Sequence, residues 1–296
     1  MVTIIDVAKK AGISKSTISR YLNGGAVKET NRRKIEKTIK ELNYNINPMA
    51  RGLKTSKSYT IGVIIPNITD LFVTYIIQSC EDYLNGLGYS IILCDAKENI
   101  EIEKKRLEFL KRKRVDGIII QPCTDQGEHI INASKEIPVV LIDRNIPGIE
   151  CDCVLVDNYD ISYNGVSELI KRGHRKIGII KGPPNIYTAC ERFKGYYMAM
   201  NDFNIPINQE YIKNGDFNKN IGKAVFLEFM KMSDRPTAIF ITNYFMALGA
   251  IEAILEKGYN IPRDVSLLIF DSIETSTSVD WAAIFKPRLS IIRQPM

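Results

Sequence analysis

Four side chains near the start of the chain share one face of a short predicted helix. Lys15, Ser16, Ser19 and Arg20 recur at helical spacing, while Ile18 falls on the opposite face. Lys and Arg donate hydrogen bonds to guanine edges, Ser bonds to several bases, and the first turn of a helix favours phosphate. These residue types at this spacing predict a surface that reads base edges in double-stranded DNA.

Flanking helices are predicted to hold this reading helix in place. Thr3 and Asp6 have the spacing of a capping box at the start of the first helix, and Gly12 ends that helix. Ser14 then caps the reading helix, and Thr30 caps a further helix that closes the bundle. This order of caps and apolar stripes is typical of a helix-turn-helix domain.

Positive charge is concentrated in the same segment. Residues 1–57 contain 13 Lys and Arg against 4 Asp and Glu, a net charge of +9, whereas the rest of the chain carries 27 against 30, a net of −3. Most charge runs are simply solvated surface. Here the charge coincides with a helix-turn-helix spacing, so we interpret it as the footprint of contact with DNA phosphates.

A short basic helix is predicted just after the helix-turn-helix segment. Asn47 is followed by proline, which is typical of a helix start; Ala50 and Leu53 then share one side and Arg51 and Lys54 the other. So short a segment with a central glycine is marginal as an isolated helix. Alone it would be interpreted as a linker, but beside a DNA-reading helix it is a candidate second contact with DNA.

Beyond Lys57 the chain alternates apolar strand-like runs with amphipathic helical stretches. Strand followed by helix, repeated, predicts parallel sheets, and the loop at 143–152 divides the pattern into two lobes. The predicted fold class is an all-α helix-turn-helix head followed by a two-lobed α/β domain. The helical stretches are about 71–86, 99–113, 159–172, 188–203, 219–231 and 244–257.

Domain boundaries follow from this pattern. We place the DNA-binding head, with the short helix at about 47–54, in residues 1–57 and the two-lobed domain in residues 58–296. Lobe 1 is predicted at about 58–152 plus 287–296, and lobe 2 at about 153–286.

Polar residues that follow predicted strands are the candidates for ligand binding. The segment Pro66 to Phe72, the pair Asp143 and Arg144, and the single residues Asn243 and Asp271 fall at such positions. Ligands of open α/β sheets bind beyond the carboxyl ends of the strands. Carboxylate, amide and guanidinium groups suit the hydroxyls of a polyol or sugar acid, and an aromatic ring suits an apolar sugar face. Each residue also has a structural alternative; Asp271, for example, could cap a loop.

Several ordered segments of the chain carry a family resemblance. They are IIDVAKKAGISKSTISRYLN and TNRRKIEKTIKELNYNINPMARGLKTSKSYTIGVIIPN near the start, followed by GHRKIGIIKGP, ERFKGY, PTAIFITNYFMALGAIEAI and PRLSIIRQPM. Together they resemble the lactose-repressor (LacI) family of bacterial transcription regulators. The resemblance implies lobes shaped like those of periplasmic sugar-binding proteins, a homodimer, and operator DNA and a small effector as partners.

The resemblance extends to the short helix. It is similar to the family's hinge helix, two copies of which enter the minor groove, and Leu53 holds the position that wedges between central base steps. The full set of predicted DNA contacts is Thr3, Ser14, Lys15, Ser16, Thr17, Ser19, Arg20, Asn23, Thr30, Asn47, Ala50, Arg51, Leu53 and Lys54.

The resemblance also assigns effector contacts. Arg192 matches a polar effector-contacting position, Phe217 an aromatic position that stacks on the effector, and Gln294 a further cleft position. The full set of predicted effector contacts is Asp70, Phe72, Asp143, Arg192, Phe217, Asn243, Asp271 and Gln294.

The chain departs from the family pattern in two places. Where the family usually has aspartate after Asn243, this chain has Tyr244, so Asn243 itself is expected to cap the following helix. Family members also normally continue past the position of Met296 with a strand and a helix that complete the first lobe. We therefore expect either a truncation or an incomplete effector domain here, with the DNA-binding residues unaffected.

Other classes of protein find little support. The six cysteines have no framework spacing, Cys151 and Cys153 give only a weak metal or redox signal, and neither histidine is near a cysteine in sequence. The sequence contains no phosphate loop, dinucleotide fingerprint, HExxH or GxSxG motif, and its N-terminus lacks the apolar core of a signal peptide. We expect no enzyme activity, no cofactor, no metal and no membrane span.

These observations predict a cytoplasmic, homodimeric transcription regulator, and specifically a repressor, that binds a pseudo-palindromic operator. A small carbohydrate-type effector is expected to control it by closing the lobes. One alternative is a solute-binding protein without a regulatory role, which the head and the lack of a signal peptide argue against. Another is a regulator that responds to a purine or to a partner protein. Whether the effector induces or corepresses stays open.

Overall fold

The computed structural model describes residues 2–22, 24–44, 57–271 and 289–292. The chain divides into two compact units, residues 1–60 and 61–296. The predicted short helix at 47–54 and the positions Asn23 and Gln294 lie outside the described residues.

The first unit contains helices α1 (Ile4–Ala11), α2 (Lys15–Leu22) and α3 (Glu29–Leu42). Val7, Ile18 and Ile35, one from each helix, are fully buried and pack together. The burial of these apolar faces stabilises helices that are too short to be stable in isolation. A hydrogen bond of 2.9 Å from the Tyr21 hydroxyl to Glu36 Oε1 also joins α2 to α3.

The predicted helix ends of α1 and α2 are confirmed. Thr3 N donates to Asp6 Oδ2 at 2.8 Å and Asp6 N donates to Thr3 Oγ1 at 3.3 Å, which is a capping box. Gly12 follows α1 in the left-handed conformation with φ of 66°, where a side chain is disfavoured. Ser14 Oγ accepts from Thr17 N at 3.3 Å at the start of α2.

The predicted start of α3 was wrong. The helix begins at Glu29, so Thr30 lies inside its first turn and does not cap it. The Lys28 carbonyl accepts hydrogen bonds from Asn31 N at 2.9 Å and Arg32 N at 3.0 Å, which begins the helix before Thr30 is reached. The N-cap residue is Lys28, which makes no side-chain cap hydrogen bond, so the N-cap position of this helix carries none of the residue types on which the cap rule depends.

The first lobe of the second unit is built on a five-stranded sheet with strand order β2-β1-β3-β4-β5. The pairs β1–β3, β3–β4 and β4–β5 are parallel. Leu107, Leu110, Ile118 and Leu141 are among the buried residues of its core. The elements are β1 (Thr60–Ile65), α4 (Leu71–Gly86), β2 (Ser90–Asp95), α5 (Ile100–Lys113), β3 (Gly117–Ile120), α6 (Glu128–Ser134), β4 (Val139–Ile142) and β5 (Asp152–Val154).

The second lobe is built on another five-stranded sheet, with strand order β10-β9-β8-β6-β7 and parallel pairing throughout. Phe226, Phe229, Phe240 and Phe270 are fully buried in its core clusters. The elements are α7 (Asn158–Lys171), β6 (Ile177–Lys181), α8 (Tyr187–Asp202), a 3₁₀ turn (Gln209–Tyr211), β7 (Ile212–Asn214), α9 (Lys219–Lys231), β8 (Ala238–Ile241), α10 (Tyr244–Lys257), β9 (Ser266–Phe270) and β10 (Ser290–Ile292).

Both predicted lobe boundaries need correction. Cys153 in β5 pairs with Leu141 in β4, so the first sheet extends through Val154 and does not stop at 152. Ile291 in β10 pairs with Ile269 in β9, so residues 290–292 belong to the second lobe and not, as predicted, to the first. A strand joins whichever sheet offers an unpaired edge, and this long-range choice leaves no local mark on the sequence.

Helical periodicity predicted the long helices well. The stretches 71–86, 219–231 and 244–257 coincide with α4, α9 and α10. The elements that the sequence did not predict are α6, the 3₁₀ turn, β7 and β10, and each has seven residues or fewer. Such short elements contain too few residues for a period to stand out. Within the described part of the chain, no helix has the length and apolar character needed to cross a membrane.

Candidate effector cleft and DNA-reading face

A cavity of about 520 Å³ lies in the second unit, and residues that follow strands of both sheets line it. Parallel strands bring their carboxyl ends to one edge of a sheet, and two such edges face this cavity. Its volume is that of a site for a small molecule. The seven predicted effector contacts that the structure describes all line it: Asp70, Phe72, Asp143, Arg192, Phe217, Asn243 and Asp271.

Gln121 and Asp143 form the buried part of the first-lobe wall. Gln121 directly follows β3, Asp143 directly follows β4, and their exposed fractions are 2% and 8%. Gln121 Nε2 donates to Asp143 Oδ2 at 2.7 Å. Asp143 N donates to the Val154 carbonyl at 2.9 Å, and the residue has a positive φ of 60°. The backbone of Asp143 is thus held by its hydrogen bond to Val154, and its carboxylate is held by the side-chain amide of Gln121.

This pair leaves two buried acceptor atoms. Gln121 Oε1 and Asp143 Oδ1 are inaccessible to solvent and have no hydrogen-bond partner within the described ranges; we call them the acceptor pair. A buried polar atom without a partner costs free energy comparable to a lost hydrogen bond, and such atoms in native proteins usually await a water, ion or ligand. Both residues also line the cleft.

Asp70 also lines the cleft and is held by the start of α4. It is the N-cap residue of that helix, and its Oδ1 accepts from Phe72 N at 3.0 Å. Burial raises the pKa of the Asp70 carboxyl to about 6; the Phe72 hydrogen bond opposes this shift, and the negative charges of Asp271 and Asp143 add to it. The carboxylates of both lobes therefore act on one another across the cleft.

Arg192 anchors the second-lobe wall. Its exposed fraction is 4%, its Nε donates to Asn158 Oδ1 at 2.8 Å and its NH1 donates to the Thr242 carbonyl at 2.7 Å. Asp271 Oδ2 lies 3.6 Å from NH1, and the guanidinium carbon lies 3.7 Å from the centre of the Phe270 ring. Burial lowers the pKa of Arg192, and the Asp271 charge acts in the opposite direction. These contacts orient a buried cation toward the cleft.

Asn243 caps α10, as the sequence predicted for a chain with tyrosine at the next position. Its Oδ1 accepts from Phe245 N at 2.8 Å. Tyr244 lines the cleft, and burial raises its pKa to about 12, with a further contribution from the Asp70 charge. The aromatic replacement therefore leaves the helix start intact and adds a ring to the cavity.

Phe217 has a conformation that favours a specific contact. It has a positive φ of 53°, which is uncommon for a bulky residue, and its ring covers Gly182. A Cβ atom on Gly182 would lie 2.1 Å from Phe217 Cε1, so only glycine allows the ring to approach this closely. The ring therefore lies close to the Gly182 backbone beside the cleft.

Sequence reasoning missed several cleft residues. Gln121 directly follows β3, so the strand-end rule that selected Asp143 would also have selected it. The other polar residues lie in loops or helix starts whose position the sequence does not show. They are Glu98, Thr124, Asn185, Thr188, Asp216, Asn218 and Lys219.

In the first unit, α2 presents the predicted reading face. Lys15, Ser16 and Arg20 are exposed, Ser19 is half-buried, and Ile18 is fully buried on the opposite side. The Ser14 hydroxyl bonds to the Ser16 hydroxyl at 3.0 Å and to the Thr17 hydroxyl at 2.8 Å. The first turn of α2 thus exposes the Lys15 ammonium group beside hydroxyl groups that are held by hydrogen bonds to Ser14.

The remaining predicted DNA contacts fall into two groups. Thr3 and Thr30 are exposed, at the start of α1 and inside the first turn of α3. The Thr3 side chain already takes part in the capping box. The positions outside the described residues are Asn23, Asn47, Ala50, Arg51, Leu53 and Lys54.

Two family models match the chain. Residues 58–293 match the periplasmic binding proteins and sugar binding domain of the LacI family. Residues 3–47 match the bacterial regulatory proteins of the lacI family. The second match contains the reading helix, and the first contains every described residue of the cleft.

Individual proteins match over nearly the whole chain. The HTH-type transcriptional repressor PurR of Aliivibrio salmonicida is 32% identical over 299 residues, covering 100% of this chain and 88% of that protein. Catabolite control protein A of Priestia megaterium is 34% identical over 298 residues, covering 100% and 88%. The crystal structure of the Lac repressor dimer bound to operator and the anti-inducer ONPF aligns with a TM-score of 0.84 at 26% identity, covering 99% of this chain and 87% of that one.

Fold and site together define a DNA-binding regulator whose ligand-binding domain is of the periplasmic-binding-protein type. The chain belongs to the LacI family of bacterial regulatory proteins. It is therefore a DNA-binding transcriptional repressor of this family and not an enzyme. A solute-binding protein without a regulatory role does not fit, because residues 3–47 match the family's regulatory head.

Proposed function

We propose that a small carbohydrate-type effector binds in the cleft and controls repression. The observation that carries this proposal is the acceptor pair, because a ligand rich in hydroxyl groups supplies donors to both buried oxygens. The family model that matches residues 58–293 describes a sugar binding domain, which supports the same ligand class.

The other predicted contacts suit the same chemistry. Asp271 and Asn243 provide acceptor and amide groups on the second-lobe wall, and Arg192 provides a cation between them. Phe217 provides an apolar face on which the C–H side of a sugar ring can stack. We assign the effector contacts to Asp70, Phe72, Asp143, Arg192, Phe217, Asn243, Asp271 and Gln294 on this basis.

Control of DNA binding follows from linkage between the cleft and the head. We propose a cytoplasmic homodimer in which residues 1–57 of each copy read one half of a pseudo-palindromic operator and residues 58–296 sense the effector. Lys15, Ser16, Ser19 and Arg20 read bases, and the segment 47–54 contacts the minor groove. An effector that binds one arrangement of the lobes more tightly than the other shifts operator affinity. The size of this shift is set by the difference between the two binding free energies.

A purine base is the second candidate effector. Relatives named PurR are 32% to 35% identical over nearly the whole chain. Phe72, Phe217 and Tyr244 line the cleft, and aromatic rings of this kind can sandwich a planar base. The N–H groups of a purine would also supply donors to the acceptor pair, so the two candidates must be separated by experiment.

Thermal unfolding with matched panels of compounds tests the proposal. A compound that binds only the folded protein adds about 2.7 kcal/mol to the apparent free energy of unfolding at 100 times its Kd. The melting temperature rises as a result. We expect a shift with one or more hexoses or pentoses and no shift with adenine, guanine or hypoxanthine. Arg192→Ala should abolish the shift, whereas Arg172→Ala, which removes an exposed arginine paired with Glu168, should leave it unchanged.

The outcomes separate the candidates. A shift with a purine alone would replace the carbohydrate proposal by the purine one. A shift with neither panel, in a protein that binds operator DNA, would contradict both and favour control by a partner protein. Operator binding by the wild-type protein is measured in parallel by fluorescence anisotropy, with and without each active compound.

A further inference from the structure

Glu103 is a charged side chain that lies behind the cleft wall. It belongs to α5 and its exposed fraction is 1%. A buried carboxylate costs several kcal/mol of solvation free energy unless hydrogen bonds or an opposite charge replace the lost water. The hydrogen-bond partners of Glu103 therefore show which groups replace its lost water and are tied to it.

Both carboxylate oxygens of Glu103 have close partners. Oε2 accepts from the Cys123 backbone N–H at 2.7 Å. Oε1 lies 2.6 Å from Nε2 of His129, which comes from the neighbouring helix α6 and is largely buried as well. His129 therefore holds Glu103 in the orientation that accepts the Cys123 N–H.

The Cys123 N–H belongs to a segment that forms the cleft wall. Residues 121–124, which we call the wall segment, follow β3, and three of the four residues line the cavity: Gln121, Cys123 and Thr124. On the carbonyl side, Arg144 NH1 donates to the Pro122 carbonyl at 2.8 Å and to the Cys123 carbonyl at 3.3 Å. An arginine and a glutamate thus hold opposite polar groups of one short loop by charge-assisted hydrogen bonds.

The position of the wall segment affects where the two oxygens of the acceptor pair point, because Gln121 belongs to this segment. Gln121 is two residues before Cys123, and its side-chain amide fixes Asp143 through the 2.7 Å hydrogen bond. A loop displacement of about 1 Å is enough to misalign hydrogen bonds, because their strength falls steeply with distance and angle. Gln121 N also donates to the Ile64 carbonyl at 3.0 Å, so the contacts of the Cys123 amide and the sheet together fix the acceptor pair.

We propose that Glu103, held by His129, is a positioning residue for the effector cleft: it fixes the wall segment and so the direction of the Gln121 and Asp143 acceptors. The inference rests on the proposed function for its link to effector binding. Its structural part, the dependence of the wall segment on Glu103, stands without any knowledge of the effector.

Four substitutions separate positioning from a general structural role. Glu103→Ala removes the acceptor for Cys123 N–H, while Glu103→Gln keeps an amide oxygen in its place. Glu108→Ala removes an exposed carboxylate from the same helix, where it pairs only with Lys111 among the described residues, and serves as the matched control. His129→Gln removes the imidazole but leaves Glu103, so it tests the support separately and covers the case in which Glu103→Ala does not fold.

The first measurement is amide hydrogen exchange of the wall segment in the full chain without ligand. In Glu103→Ala we expect the Cys123 amide to exchange roughly 10-fold to 100-fold faster than in the wild-type protein. Glu103→Gln and Glu108→Ala should stay within about threefold of the wild type, and His129→Gln should be intermediate. Unchanged Cys123 exchange in both Glu103→Ala and His129→Gln would overturn the proposal.

The second measurement is effector binding against operator binding. With the hexose or pentose that gives the largest thermal shift in the wild-type protein, affinity should fall about tenfold or more in Glu103→Ala and recover in Glu103→Gln. Operator affinity without that sugar should change less than about twofold in all variants, because the reading helix lies in the other compact unit. Equal loss in Glu103→Ala and Glu103→Gln would overturn positioning by hydrogen bond. If no compound shifts the wild-type protein, the proposed function fails, and Cys123 exchange still decides this inference.

Discussion

Gln121 Nε2 donates a hydrogen bond of 2.7 Å to Asp143 Oδ2, so the amide oxygen of Gln121 and the other carboxylate oxygen of Asp143 are left as buried acceptors beside the cleft. The two residues are 22 positions apart in the sequence and follow neighbouring parallel strands, β3 and β4. The first-lobe wall is therefore polar, preformed and directed by strand pairing.

Replacing Gln121 tests this relationship. Gln121→Leu keeps most of the side-chain volume but removes the donor to Asp143 and one member of the acceptor pair. We expect effector binding to weaken by about 1–3 kcal/mol, because a bound hydroxyl loses its acceptor and Asp143 loses its orientation. Calorimetric titration with the active sugar measures the change. Gln126→Leu, an exposed glutamine in the following loop, is the control and should bind as the wild type does.

The proposed base reading by α2 predicts a difference between operator and random DNA. Arg20 is exposed on the reading face, so Arg20→Ala should lower operator affinity by about 1–3 kcal/mol and spare most non-specific affinity. Lys57→Ala, which removes an exposed charge outside α2, should weaken binding to both DNAs evenly. Anisotropy titrations at fixed salt measure both affinities. An equal loss on both DNAs in Arg20→Ala would remove Arg20 from base reading.

The raised pKa of Asp70 predicts a dependence of stability on pH. The folded protein binds this proton more tightly than the unfolded chain, since the pKa is raised from 3.8 to about 6. The stability contributed by protonated Asp70 is therefore present at about pH 4 and is lost as the pH rises through about 6. The total cost of ionisation is at most about 3 kcal/mol at neutral pH.

Asp70→Asn should remove that cost. Asparagine keeps an oxygen that accepts from Phe72 N, so the cap of α4 is preserved. We expect the variant to be more stable than the wild type at pH 7 and similar at about pH 4. Asp271, Asp143 and Arg144 face Asp70 and set the size of the effect. Urea unfolding across this pH range measures it, with Asp82→Asn, an exposed residue of the same helix, as the control; parallel curves for Asp70→Asn and wild type would contradict the expectation.

The close approach of Phe217 to Gly182 predicts that a single methyl group disturbs the cleft. In Gly182→Ala the added Cβ would meet the Phe217 ring at 2.1 Å, so the ring must move. We expect a loss of about 1–3 kcal/mol in stability and weaker effector binding. Gly117→Ala places its Cβ at an ordinary contact of 3.5 Å and is the control. Thermal unfolding and titration measure both effects; normal effector binding by Gly182→Ala would show that the ring position is unimportant to the ligand.

Local signals predicted much of the fold. The capping box of Thr3 and Asp6, the left-handed Gly12 and the bounds of α4, α9 and α10 depend on residues within a turn or two of one another. A rule about strand ends then selected Asp143, Asn243 and Asp271, all of which line one cavity. Most of the candidate site was therefore predictable once the strands were recognised.

The failures have a different character. The N-cap of α3 is Lys28, which makes no side-chain cap hydrogen bond, so Thr30 two residues later was a misleading signal. The strands β5 and β10 were assigned across the wrong boundary because their pairing partners are set by free sheet edges. Gln121 follows a strand like Asp143, yet its importance appears only in the hydrogen bond between them.

The sequence by itself determined the order of the longer elements, the exposed polar face of α2 and the type of side chain available at each strand end. These depend on periodicity and capping, whose energies arise between neighbours in the chain. Tertiary structure alone decided which edges pair, which polar atoms stay buried as acceptors, and how strongly Asp70, Asp143 and Asp271 act on one another. Strand pairing, desolvation and charge interactions depend on distances between residues far apart in the chain, and only folding fixes those distances.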